Sequence, residues 1–111
     1  MRKLSLISKT SDKREWGEYM RTLSETVNYM LDVDYKKRLI GEYSQTKIRY
    51  AKLKDFCNRI EIYEEYGMMQ EVKHDCPLKL LREQQKAMEI YLSVLEKRAI
   101  IEGIGIEKEV L

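Results

Sequence analysis

The side chains able to ligate a soft metal or to serve as a nucleophile–base pair are few: His74, Cys76 and Cys57. His74-x-Cys76 with one distant cysteine offers three ligands, whereas a structural zinc wants four at paired close spacing. Cys57 falls on an apolar helical seam, where a small buried thiol is ordinary packing. A single histidine in a predicted loop leaves no relay to activate a serine or cysteine. Carboxylates such as Glu61 and Glu65 recur at helical spacing and read as solvated surface charge. Neither a P-loop nor another Gly-rich phosphate cradle occurs. The pattern predicts no catalytic residue, no metal site and no cofactor, and hence not an enzyme.

Charge is the more telling chemistry. The formal net charge of +2 arises from 21 basic and 19 acidic residues, yet the two signs are not mixed evenly. Between residues 35 and 54 stand Lys36, Lys37, Arg38, Lys47, Arg49, Lys52 and Lys54 against Glu42 alone. Residues 55–77 carry six acidic side chains against Arg59 and Lys73. At about 100° per residue, Lys36, Lys47 and Lys54 share one flank of a helix, next to Tyr43 and Tyr50. Arg38, Arg49 and Lys52 lie on the other flank. A strip of lysines beside two tyrosines is suited to hold phosphates and stack a base, so Lys36, Tyr43, Lys47, Tyr50 and Lys54 are the candidate ligand-binding residues. The alternative is that these lysines lie along the seam and pair with the acidic block of a neighbouring helix or chain. Nucleic acid is a further partner compatible with the strip, and it predicts strongly salt-dependent binding.

Those residues need long helices to position them. One Pro and five Gly in 111 residues leave few chain reversals, and 43% hydrophobic content is too high for wholesale disorder. Leu39, Tyr43, Thr46, Tyr50, Leu53, Cys57 and Ile60 step alternately by four and three, the seam of a coiled-coil-like hairpin. Trp16, Met20, Leu23, Val27 and Met30 make a similar, shorter seam, and Asp12 with Glu15 reads as its capping pair. The predicted fold is all-α: an antiparallel hairpin of two long helices plus an N-terminal helix, with helices at about 12–31, 35–65 and 77–102. Residues 1–11 form an arm, and 12–111 a single helical domain. Asp32 or Asp34 would cap the second helix, unless residues 12–64 run on as one. Gly67 and Gly103 are the expected stops, and Pro77 suits the first position of the last helix. The apolar stripe of that last helix, from Leu80 to Ile101, is wider than one partner needs, which predicts a homo-oligomer. No run approaches the length of a membrane span, and nothing at Met1–Ile7 is secretory. Reduced cysteines in a cytoplasmic protein, with no membrane partner, are the expectation.

The stretch from Tyr35-Lys-Lys-Arg-Leu-Ile-Gly-Glu-Tyr43 through Lys52-Leu-Lys-Asp-Phe56 and Cys76-Pro-Leu-Lys-Leu-Leu81 to Leu95-Glu-Lys-Arg-Ala-Ile-Ile-Glu-Gly-Ile104 carries a resemblance. Over about 35–106 it resembles short, uncharacterised helical-hairpin proteins of tailed phages and prophages, with relatives associated with crAss-like phages. Met1–Asp34 departs from that pattern. The resemblance implies a viral setting in a host cytoplasm, no particular catalytic residue, and action by stoichiometric binding. The expected partner is a host defence protein complex, or an anionic signalling nucleotide that the protein sequesters. A structural or assembly adaptor of a phage is the competing expectation.

Overall fold

The computed structural model describes residues 20–106. Its largest element is α2, Tyr35–Tyr66, whose buried residues include Leu39, Tyr43, Thr46, Cys57 and Ile60 of the four–three seam, with Gly41 and Ser44 buried beside it. Tyr50 and Leu53 complete the seam half-buried. α2 begins where the Asp34 side chain accepts from the Lys36 N–H at 2.9 Å, a cap that satisfies one of the orphan donors of the first turn. It ends at Gly67, which is left-handed at φ 66°, so that the Gly67 N–H reaches the Tyr63 carbonyl at 3.0 Å. A β-carbon disfavours that conformation, and this is the use of glycine there.

α3, Leu78–Glu102, returns antiparallel along α2. Pro77 is the residue before its first turn, at φ −60° and ψ 144°, one position earlier than the spacing suggested. Leu78, Leu81, Gln85, Met88, Leu92, Leu95 and Ala99 face inward at the same alternating spacing, Leu92, Leu95 and Ala99 fully buried. They meet Leu39 and Tyr43 of α2 in one core. After Gly103 the chain folds back, with the Ile104 N–H on the Ala99 carbonyl at 2.8 Å. Ile104 thereby joins the core and Ile106 packs against it, which gives cover to the apolar tail.

Polar rungs cross this seam. The Tyr35, Tyr43 and Tyr50 hydroxyls donate to Glu102, Glu96 and Glu89 at 3.1, 2.7 and 3.0 Å. Nearer the connector, Arg82 donates to Asn58 at 3.1 Å, to Gln85 at 2.8 Å and to Glu61.

The N-terminal segment differs from its expectation. The described part of the helix predicted over 12–31 is a 3-10 turn, Leu23–Thr26, running into the single turn α1, Val27–Met30. Thr22 is extended, at φ −129° and ψ 156°, and the Glu25 carboxylate accepts from the Arg21 and Thr22 N–H groups at 2.6 and 3.1 Å. The turn starts after Thr22 because the N–H groups at that point are met by Glu25. Asp12, Trp16 and the arm at 1–11 lie outside the described residues. Of the expected seam, Met20 is buried, but Leu23 and Val27 are exposed; Thr26 is buried in their place, its hydroxyl donating to the Leu23 carbonyl at 2.7 Å.

Residues 31–34 are a bend, so 12–64 is not one helix. Asp32 accepts from the Asp34 N–H at 2.8 Å. Arg38, whose charge in a first turn opposes the helix dipole, turns back to donate to the Asp32 and Val33 carbonyls at 2.8 and 3.0 Å. α1 then packs on α2 at Gly41, where a β-carbon would come within 2.8 Å of Tyr29 Cβ and 3.1 Å of Met30 Sδ. That glycine is spent on a close approach of two backbones.

Candidate functional site

The bend at 31–34 folds the N-terminal segment onto the flank of α2, and a groove of about 750 Å³ opens between them. Lys47, Tyr50, Lys52 and Lys54 line its α2 side together with Asp55 and Asn58, and Met20 and Arg21 form the facing rim. Its size falls within the range of small-molecule sites. Three lysines, one arginine and one aspartate border the space. Asp55 is held by Arg59 at 2.7 Å, which offsets its charge.

Of the five residues singled out by the sequence, Lys47, Tyr50 and Lys54 are brought together here. Lys36 is not; it is exposed in the first turn of α2, about 16 Å along the axis from Lys47. Tyr43 is not available either. It is only 2% exposed, and its hydroxyl is engaged by Glu96. Its ring therefore cannot stack a ligand base; instead the Lys47 ammonium sits over it, 5.6 Å from the ring centre, a cation–π contact. An alternating seam places Tyr43 at its centre, and a seam tyrosine of this kind is core first. Lys52, assigned to the opposite flank, lines the groove as well, because the groove wraps further around α2 than the strip of lysines does.

Tyr50 joins the groove to the hairpin. Its phenol is held above the usual tyrosine range by burial first, and then by the hydrogen bond to Glu89. It stays a neutral donor there, anchored on α3 while one edge meets the groove. Arg21 and Asn58 were not legible from sequence. Arg21 reaches the site only through the bend, and no periodicity reports a bend made by Asp32, Asp34 and Arg38.

A second, smaller hollow of about 260 Å³ lies between the end of α2 and the connector, beside Tyr63, Glu64 and His74. His74 Nδ1 lies 2.7 Å from the Cys76 carbonyl and Nε2 lies 3.2 Å from Glu64. Both neighbours are acceptors, so the doubly protonated ring fits best. The Cys76 carbonyl first, and Glu64 second, raise its pKa above the ordinary histidine value. Cys57 is buried in the seam and its thiol is pushed up by burial, the opposite of a reactive thiolate. Among the described residues, no three His, Cys, Asp or Glu side chains gather as metal ligands would, and no helix is long and apolar enough to cross a membrane.

The Sequestin family model matches residues 33–101, well over half of the 111 residues. The chain belongs to the Sequestin family. The match begins at the bend, covers α2 and most of α3, and leaves out Met20 and Arg21. The Sequestin part thus supplies the lysine wall of the groove, and the segment before it supplies the facing rim. No curated protein and no solved structure matches the chain.

Proposed function

We propose that this Sequestin-family protein is a non-enzymatic phage accessory protein that blunts a host antiviral defence by stoichiometric binding. It acts in the host cytoplasm, as a self-associating helical protein. Its ligand is an anionic signalling nucleotide that it sequesters; a defence protein complex is the other target of the same kind. The observation that carries the reading is the groove in which Lys47, Lys52, Lys54 and Arg21 surround an open space edged by Tyr50. A phosphodiester placed there meets positive charge from two sides, and an aromatic edge lies beside it. The family name denotes sequestering, which suits a protein that binds rather than converts.

Calorimetric titration of the protein with a panel of cyclic oligonucleotides tests it. One member should bind with a stoichiometry fixed by the groove, and Lys54→Glu should weaken it at least tenfold while the helical circular dichroism is unchanged. Heat with none of the panel, together with undiminished protection of infecting phage by the Lys54→Glu variant, overturns the nucleotide reading. A mobility shift with DNA or RNA that falls steeply with salt would instead make the groove a nucleic-acid site.

A further inference from the structure

α3 carries two apolar stripes, and the hairpin uses only one. The inward stripe is spent on α2 and the tail. The second consists of Leu80, Ala87, Ile90, Tyr91, Val94 and Ile101, which fall within an arc of about 100° centred about 130° from the inward stripe. All six are exposed, Leu80 at 54%, Ile90 at 59% and Ile101 at 82%. A continuous apolar line along six turns of one helix is a cost in water unless something covers it.

What covers it is indicated by the order of its residues. The stripe forms three columns, each repeating every seven positions as in a coiled coil. The central column is Leu80, Ala87, Val94 and Ile101. One side column is Glu83, Ile90 and Lys97; the other is Gln84, Tyr91 and Arg98. When two such helices lie antiparallel about a two-fold axis, each column faces its own copy. With the axis passing between Ile90 and Tyr91, Leu80 meets Ile101, and Ala87 meets Val94. Ile90 meets Ile90, and Tyr91 meets Tyr91. Glu83 then faces Lys97 of the second copy, twice over by symmetry. Bulky residues stand at the ends, small Ala87 stands against Val94 near the middle, and acid stands opposite base. Glu83 and Lys97 are both exposed in the protomer, so neither is withdrawn from the core to make the pair.

We infer that a second copy of this chain docks on the outer face of α3, forming an antiparallel two-fold dimer with α3 against α3 and Glu83 against Lys97. The surface is distinct from the groove, which lies on α2, so dimer formation and ligand binding fail independently.

Sedimentation equilibrium of the full chain is the test. The wild type should run at twice the protomer mass of 13.3 kDa. Ile90→Asp, which sets two carboxylates face to face at the axis, should run at the protomer mass with its helical circular dichroism intact. Glu83→Lys should weaken association about tenfold by opposing Lys97. The exchanged pair, Glu83→Lys with Lys97→Glu, should restore the wild-type value, which no other register or partner predicts. The inference is overturned by a wild type that stays at the protomer mass at the highest concentration reached. An Ile90→Asp variant of unchanged mass, or a charge exchange that fails to restore association, overturns it equally.

Discussion

α2 is packed from two sides by different means. α3 lies against it through a repeating seam in which leucine, isoleucine and tyrosine interlock over most of the helix length. α1 and the turn before it meet α2 over a short stretch whose closest approach is at Gly41, where a side chain is missing. The first contact is distributed, so its strength is the sum of many small burials. The second is concentrated, and it works only because two backbones approach where a β-carbon would not fit. The long contact holds the protein together, whereas the short one closes the groove by bringing Met20 and Arg21 to face the lysines.

The largest effect is expected on the α3 side. Leu95 is 2% exposed at the middle of the core, and Leu95→Ala should cost about 3 kcal/mol of unfolding free energy, read by urea denaturation as a lower midpoint with an unchanged slope. The α1 side should respond differently. Gly41→Val gains helix propensity but forces Tyr29 and Met30 away, with an overpacking cost of about 2 kcal/mol. That cost should appear as faster amide exchange in residues 23–30 while the α2–α3 seam keeps its protection, and ligand affinity should fall with it. A loss of protection spread over both regions would mean that the two contacts are one cooperative unit.

The smallest effect lies in the connectors. The bend before α2 is held by Asp34 and Arg38, and the turn after it by His74. Because the folded-state pKa of His74 is raised, its contribution is complete below the ordinary histidine value of about 6.5. It is lost as pH rises through the higher folded value. Protection of the connector amides, corrected for intrinsic exchange, should therefore decline across that window, while protection of the 31–34 bend should not. His74→Gln should abolish the difference.

The legible part of this protein is the part built from repetition. Steps of four and three through Leu39, Tyr43, Thr46, Tyr50, Leu53, Cys57 and Ile60 specify an inward stripe without any knowledge of the partner helix, and Gly67 and Gly103 mark where the helices stop. The illegible part depends on single events. Gly41 looks like a weak helix residue until Tyr29 is seen against it, and the bend needs three side chains bonding to backbone within seven residues. The groove is legible in part for the same reason. Lys47, Tyr50 and Lys54 share a helix flank that angular arithmetic finds, whereas Arg21 arrives from another segment. Tyr43 carries opposite signals, a seam position that points inward and neighbouring lysines that point outward, and burial prevails.

A seam that repeats every seven residues is indifferent to sliding by seven. Moving α3 one repeat along α2 would still set Leu39 against Leu92 and Leu53 against Leu78, and the polar rungs help to distinguish the two alignments. In one slipped alignment Tyr50 would face Arg82 and Tyr35 would face Leu95, so one hydroxyl would lose an acceptor and another would be set against hydrocarbon. In the opposite slip Tyr43 would face Gly103 and find nothing. Three phenols and their glutamates thus act as a vernier, adding little to the strength of the hairpin but favouring the alignment in which each hydroxyl finds its acceptor.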